Sequence, residues 1–257
     1  GGKVLYSDHH VHTKFSPDSQ ADVVEYILKA KELGLEYIVF TDHMEFGVKS
    51  PKFQRYIDYD YYIRYMKELE EEYEIPIKIG VEIGYERNYK EKIEEFLNKY
   101  DFHIIIASIH YDVGGESFYS GNFYKNRSKY ETYLAYFELV LDMVENFNNY
   151  HVVGHLDYIP RYSPYEDKHY NYDDYREILD LILKAIIGNK RGLEVNTSGL
   201  RTDLKVSFPR EEVLNRYREL GGKYLSVGSD AHFNKDFMAH VDEAAERLSQ
   251  MGFILIG

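Results

Sequence analysis

The chain has 257 residues, 44% of them hydrophobic, a length and composition that suit one globular domain with a large core. It contains no cysteine, which excludes disulfides, thiolate metal ligands and a cysteine nucleophile, so any metal would be bound by nitrogen and oxygen. The formal net charge of -13 argues against non-specific nucleic-acid binding, which needs Lys and Arg, but leaves open a small phosphorylated substrate beside bound cations.

Strand-like and helical segments alternate along the chain. Helices are predicted at residues 21–33, 59–73, 88–99, 128–146, 172–187, 210–220 and 239–250, and strands at 3–7, 37–40, 77–83, 102–108, 152–154, 192–195, 224–227 and 253–256. Apolar strands separated by helices indicate a parallel sheet covered by helices. Because polar residues follow the strands, a closed or nearly closed α/β barrel is favoured over an open doubly wound sheet, with residues 1–257 as one domain.

Metal-binding residue types recur where these strands end. His10 and His12 follow the first strand, and side chains at i and i+2 of an extended chain point to the same face, so this pair can bind one cation. Similar positions along the chain hold further His, Asp and Glu residues: Asp42, His43, Glu82, His110, His155, Asp230 and His232. The carboxyl ends of barrel strands converge on one rim, so these residues predict a multinuclear metal site there.

Six short motifs at these positions resemble a known family. They read Asp8-His9-His10-Val11-His12-Thr13, Thr41-Asp42-His43, Gly80-Val81-Glu82, Ser108-Ile109-His110, Val153-Gly154-His155-Leu156-Asp157 and Gly228-Ser229-Asp230-Ala231-His232. As an ordered set over nearly the whole chain they are similar to the PHP (polymerase and histidinol phosphatase) superfamily, and within it to the histidinol-phosphate phosphatases. The resemblance implies a distorted (β/α)7 TIM-like barrel with a trinuclear metal centre at the C-terminal ends of the strands.

The family pattern also implies how the ligands are shared among three metals. The first metal would be bound by His10, His12, Glu82 and Asp230. Glu82 would bridge to a second metal, which His110 and His155 complete. His43 and His232 would bind the third.

Asp18 marks a departure from the family pattern. Many relatives have a His at this position as a further ligand of the third metal, whereas Asp18 offers an oxygen. An oxygen ligand shifts the preference of that site toward harder cations. The implied cofactors are therefore two or three divalent ions, with Zn, Mn and Fe all compatible with nitrogen and oxygen ligands.

The resemblance implies hydrolysis of a phosphomonoester, L-histidinol phosphate, by a hydroxide that bridges two metals. Two or three cations would also stabilise the charge that builds on the phosphate during in-line displacement. The leaving alkoxide needs a proton, and Asp230 or His232 is the expected catalytic donor because both lie at the substrate side of the centre.

Substrate selection would require a cation for the phosphate and a carboxylate for the ammonium group. Arg161 and Arg201 lie in loops that follow strands, so we predict that they contact the phosphate or the imidazole, with a solvated surface position as the alternative. Glu116, in a Gly-rich loop, is the candidate for the ammonium group. Asp42 and Asp157 are candidates to orient metal-bound imidazoles from behind.

Two other functions stay open at this stage. A PHP phosphoesterase acting on another small phosphate ester or on nucleotides would favour basic loops, which this acidic chain lacks. A non-catalytic PHP module would be expected to have lost some of the metal-binding residues, and this sequence retains them. No apolar run approaches the ~18 residues of a membrane span, so we expect a cytoplasmic enzyme with a small-molecule substrate and neither nucleic-acid nor membrane partners.

Overall fold

The computed structural model describes residues 3–257, and regular elements alternate along this range. The strands are β1 (Ile38–Phe40), β2 (His43–Glu45), β3 (Ile77–Ile79), β4 (Val81–Gly84), β5 (Ile105–Ser108), β6 (Val152–Val153), β7 (Gly192–Asn196), β8 (Tyr224–Gly228) and β9 (Ile254–Leu255). The helices are α1 (Val23–Leu33), α2 (Tyr59–Tyr73), α3 (Lys90–Lys99), α4 (Lys129–Asn146), α5 (Arg176–Gly188), α6 (Glu211–Glu219) and α7 (Val241–Gln250). The predicted alternation of strands and helices is therefore confirmed.

A parallel seven-stranded sheet in the order β2-β4-β5-β6-β7-β8-β9 forms the frame. β1 and β3 form a separate parallel pair, and each leads within a few residues into the strand that follows it, β2 or β4. The central strands are buried along their whole length, as expected for strands with helices on one side and a filled interior on the other.

The N-terminal segment departs from the prediction, because residues 3–7 do not form a strand. Residues 8–12 instead run between the end of β8 and the end of β1. The amide of His9 donates to the carbonyl of Val227 at 3.0 Å, the amide of His12 donates to Ala231 at 2.8 Å, and the amide of Thr41 donates to Val11 at 2.9 Å. The gap between β8 and β1 is therefore closed by irregular backbone. This backbone brings His10 and His12 to the inner face of the sheet.

A side chain accounts for this irregular backbone. Asp8 is buried, and its Oδ1 accepts from the amides of Ser229 at 2.8 Å and His10 at 3.2 Å, while Oδ2 accepts from the amide of Met238 at 2.9 Å. Side-chain acceptors that bind backbone amides offer the chain an alternative to a regular ladder.

The helices begin and end at recognisable signals. α1 ends at Gly34, whose φ of 75° lies in the left-handed region that favours glycine. α4 begins with a capping box, in which Ser128 and Glu131 bind each other's backbone amides. Among the described helices, none combines the length and the apolar character that crossing a bilayer requires.

Candidate metal centre

A cavity of about 640 Å³ opens where the strands end. Six of the predicted ligands line it: Asp18, His43, Glu82, His110, Asp230 and His232. The other three, His10, His12 and His155, are buried directly behind them. Residues far apart in the sequence therefore meet in one place, because the ends of β2, β4, β5, β6 and β8 and the N-terminal segment beside them converge on one rim.

Glu82, in β4, lies at the centre of this cluster. Its Oε1 is 3.1 Å from His10 Nε2 and 3.3 Å from His12 Nε2. Asp230 Oδ1 lies 3.1 Å from each of the same two nitrogens. Donor atoms that share a cation at ~2.0–2.2 Å lie at about such distances from one another. These four residues form a group that could hold one metal ion.

The other oxygen of Glu82 faces a second set of imidazoles. Oε2 is 3.1 Å from His110 Nε2 and 3.1 Å from His155 Nε2, and these two nitrogens are 3.2 Å apart. Glu82 is therefore placed to serve two metal positions at once, one through each oxygen.

A third group lies nearer to the mouth of the cavity. Asp18 Oδ2 is 3.3 Å from His43 Nε2 and 3.1 Å from His232 Nε2, and His12 completes the group. The aspartate that departs from the family pattern thus lies in a group of side chains that could hold a metal ion.

The polar atoms of the cluster lack ordinary partners, which fits a bound cation. Among the buried side-chain atoms that make no hydrogen bond are Glu82 Oε1, Asp230 Oδ1 and Asp18 Oδ1. Leaving a buried carboxylate oxygen without a partner is costly. Burial tends to raise the pKa of Glu82, but the facing His10 and His110 hold it well below its usual range. An ionised, unpaired carboxylate opposite imidazole nitrogens is the donor set that Zn²⁺ and similar ions prefer.

The backbone after β8 aims Asp230 at the cluster. Asp230 has a φ of 57°, in the left-handed region that residues other than glycine rarely adopt, and its amide donates to the carbonyl of His10 at 2.8 Å. Such strained positions concentrate at functional sites. Gly228, just before it, has no room for a side chain, because a Cβ there would lie 2.3 Å from that of His10. The two chain segments can therefore approach closely enough to share a ligand group.

Two buried glutamates beside the ligands were missed by the sequence analysis. Glu194, in β7, is fully buried; its Oε2 accepts from His10 Nδ1, and its Oε1 accepts from the amide of His155 at 3.0 Å. The imidazole of His10 therefore presents its free Nε2 to the cluster, a common arrangement of metal-binding histidines. Glu45, at the end of β2, contacts His110 in a similar way at 2.6 Å.

Asp42 contacts the ligands only through an intermediate. Its Oδ1 accepts from the hydroxyl of Ser16 at 2.6 Å, and that hydroxyl lies 3.0 Å from His12 Nδ1. The hydroxyl of Tyr62 and that of Thr13 donate to the other oxygen at 2.6 and 2.9 Å. The predicted orientation of an imidazole by Asp42 would therefore act on His12 by way of Ser16.

Asp157 was predicted to orient a metal-binding imidazole, but its hydrogen-bond partners are other groups. Its Oδ2 accepts from the hydroxyl of Tyr170 at 2.8 Å and from the amide of Arg210 at 3.0 Å, and it lies 3.6 Å from Arg210 Nε. The Arg210 guanidinium also lies over the Tyr170 ring at 4.0 Å. Asp157 thus ties the loop after β6 to the start of α6, which corrects the predicted role.

Removing the Arg210 guanidinium from this buried ion pair should lower the stability of the fold. Arg210 and Asp157 are 7% and 1% exposed, so Arg210→Met would leave a buried carboxylate without its counter-charge. Breaking a buried pair in this way typically costs about 3–5 kcal/mol, whereas an exposed pair contributes about 0–1 kcal/mol. Urea unfolding of Arg210→Met should therefore show a much larger loss than unfolding of Arg176→Met, which breaks an exposed pair with Asp173. Equal losses in the two variants would contradict the assignment.

Two of the three predicted substrate-binding residues line the cavity, and the third does not. Arg161 and Arg201 both line the cavity, as does Lys235, which the sequence analysis did not single out. Arg201 also donates to the carbonyl of Ser229 at 2.9 Å. Glu116 is not among the lining residues, and its carboxylate accepts from Lys49 at 2.6 Å. Its contact with an ammonium group stays a prediction and would require it to leave Lys49.

Comparison with known proteins agrees with the motifs. The model of the PHP domain family matches residues 8–198. The chain belongs to the PHP domain family. A histidinol-phosphatase of Lactococcus lactis subsp. lactis (strain IL1403) is 35% identical over 249 residues, which cover 96% of this PHP chain and 91% of that protein.

Solved structures of similar proteins share the fold of this PHP chain. The crystal structure of histidinol phosphate phosphatase from Lactococcus lactis subsp. lactis, complexed with Zn, L-histidinol and phosphate, matches with a TM-score of 0.89 and 33% identity, covering 99% of this chain and 96% of that one. A Listeria monocytogenes structure, 24% identical and covering 90% of this chain and 97% of that one, shares the fold with a TM-score of 0.73. The predicted distorted (β/α)7 TIM-like barrel is confirmed.

Proposed function

We propose that this protein is a metal-dependent phosphomonoesterase that hydrolyses L-histidinol phosphate to L-histidinol and phosphate, a reaction of histidine biosynthesis. The observation that carries the proposal is the cluster around Glu82, where unpaired carboxylate oxygens face imidazole nitrogens of several strands. The similar Lactococcus lactis structure, which holds zinc, L-histidinol and phosphate, supports the substrate. We also propose that residues 1–257 act as one domain, since the sheet continues from β2 to β9.

The proposed metal ligands are the nine predicted residues. They are His10, His12, Asp18, His43, Glu82, His110, His155, Asp230 and His232. We propose that they hold two or three divalent cations, of which zinc is supported by the similar structure and manganese or iron suits the same donors. Such cations supply positive charge to the phosphate oxygens and lower the pKa of a coordinated water.

Side chains of the cavity wall would bind the phosphate and supply the proton. Arg161 and Arg201 bring two guanidinium groups to a cavity whose floor is formed by metal ligands, and guanidinium groups bind phosphate oxygens through paired N–H donors. Asp230 and His232 line the same cavity, and either would be placed to protonate the leaving alkoxide. The wall is otherwise rich in aromatic rings, which suits an imidazole-bearing alcohol.

Loss of the Arg161 guanidinium should weaken phosphate binding. A hydrogen bond to a charged group contributes ~1.5–3 kcal/mol, so Arg161→Met is expected to lower kcat/KM for L-histidinol phosphate roughly 10- to 100-fold. Arg127→Met is the matched control, because Arg127 lies outside the cavity lining and donates to the carbonyl of Phe123 at 2.7 Å. A kcat/KM of Arg161→Met within twofold of the control would contradict the phosphate contact.

A substrate panel tests the proposed function. Phosphate release is measured from L-histidinol phosphate, from other small phosphomonoesters, from nucleoside monophosphates and from a phosphodiester. The proposal predicts a clear preference for L-histidinol phosphate and little turnover of the phosphodiester. Equal turnover of all monoesters would overturn the substrate while leaving a metal-dependent phosphatase, and a preference for the phosphodiester would overturn the reaction class.

A further inference from the structure

Glu45 is a buried acidic residue that the proposed ligand groups do not use. It ends β2, its side chain is 2% exposed, and it also lines the cavity. Its Oε1 lies 2.6 Å from His110 Nδ1 and 3.4 Å from His43 Nδ1, a nitrogen that also lies 3.3 Å from Glu82 Oε1. The other nitrogen of His110 faces Glu82, while that of His43 faces Asp18. One carboxylate therefore stands behind imidazoles that belong to two different ligand groups.

The neighbouring strand is shaped to receive this carboxylate. Glu45 is paired with Gly84 in the register between β2 and β4. A Cβ at position 84 would lie 1.4 Å from Glu45 Oε2, so only glycine leaves the carboxylate its place. Oε2 itself is buried and makes no hydrogen bond.

A buried carboxylate at this position costs stability whether or not it has a function, so its presence beside His110 calls for an explanation. Taking a charge out of water carries a penalty of several kcal/mol, which an apolar side chain of similar size would avoid. With Nδ1–H of His110 donating to this carboxylate, Nε2 of the same ring is left free as a metal donor.

We propose that Glu45 is a positioning residue that orients the imidazoles of His110 and His43 and thereby couples the filling of the two cation positions that these rings serve. Gly84 contributes to this positioning, because the absence of a side chain there leaves room for the Glu45 carboxylate. The inference rests on the proposed metal centre but not on the identity of the substrate.

Zinc titration of the metal-free protein tests the proposal in two variants. Glu45→Gln keeps the shape but removes the charge, and Gly84→Ala keeps the charge but displaces it. Loss of an outer partner of a metal ligand typically costs roughly 10- to 100-fold in affinity, and we expect such a loss for the cations served by His110 and His43. The cation bound by His10 and Asp230 should keep its wild-type affinity. The matched control is Glu86→Gln, since Glu86 is a buried glutamate whose carboxylate accepts from Asn88.

Thermal unfolding of the metal-free variants distinguishes positioning from a structural role. The proposal expects unfolding midpoints of Glu45→Gln near that of Glu86→Gln, together with a selective loss of zinc affinity. It is overturned if both Glu45→Gln and Gly84→Ala bind zinc with wild-type stoichiometry and affinity, or if every cation is weakened equally. Phosphate release by the wild type is measured in the same preparations and decides only the proposed function, because zinc binding requires no substrate.

Discussion

Replacement of Glu82 by Gln is expected to lower phosphate release by more than about 100-fold, beyond the range typical of an outer partner of a metal ligand. The variant should also retain fewer cations per chain than the wild type. Glu82 is the residue through which two ligand groups meet, with Oε1 facing His10 and Oε2 facing His110 and His155, each at 3.1 Å. A glutamine offers one oxygen and one N–H donor group, so it can serve only one of the two sides.

The measurement pairs elemental analysis of the dialysed variant with kcat/KM for L-histidinol phosphate. Ser108 donates to Glu82 Oε2 at 2.9 Å, and Ser108→Ala is a useful comparison because it removes a neighbour without removing a donor to the metals. We expect Ser108→Ala to keep its cations and most of its activity. Full metal content together with wild-type kcat/KM in Glu82→Gln would contradict the central place of this carboxylate.

Asp230→Asn should lower kcat by about 10²- to 10⁴-fold, the range that a positioned acid–base group contributes. Asp230 Oδ1 lies 3.1 Å from the Nε2 atoms of His10 and His12, and Oδ2 accepts from the side-chain Nδ2 of Asn196 at 3.1 Å. An asparagine would have to turn its NH₂ group toward one of these sides, either toward the imidazole nitrogens or toward another N–H donor. It also lacks the acidity to give a proton to the leaving alkoxide.

The control for Asp230→Asn is Asp236→Asn, because Asp236 lines the mouth of the same cavity and lies 3.7 Å from Arg201 Nε. We expect the control to change kcat by less than tenfold. A variant of Asp230 that keeps its metals and its full activity would remove Asp230 from both the ligand set and the proton transfer.

Local periodicity predicted most of the frame. The predicted helix at residues 59–73 is α2 to the residue. Glu82 lies in β4, while His110 and Asp230 follow β5 and β8, which the apolar runs predicted. The ligands could be predicted because the ends of parallel strands meet on one rim whatever the details of packing. The expected strand at 3–7 was wrong, and the contacts that Asp8 makes just after it with the amides of Ser229 and His10 are invisible to a hydrophobic pattern.

Residues behind the ligands were harder to predict than the ligands themselves. Glu194 carried one usable signal, since it is a charged residue between the apolar Leu193 and Val195 of a buried strand. Glu45 carried none, because its importance arises from contact with His110 and from the space left by Gly84, and neither partner is near it in the sequence. Asp157 was wrongly assigned because a His-Leu-Asp motif does not reveal that Arg210 lies beside the aspartate.

Metal removal and return is the most direct test of the account. The protein is treated with a chelator until elemental analysis finds no divalent metal, and phosphate release from L-histidinol phosphate is followed as Zn²⁺ or Mn²⁺ is added back. We expect loss of activity in the metal-free protein and its recovery only as about two or more cations per chain are bound. Undiminished hydrolysis by the metal-free protein would contradict the proposed metal centre.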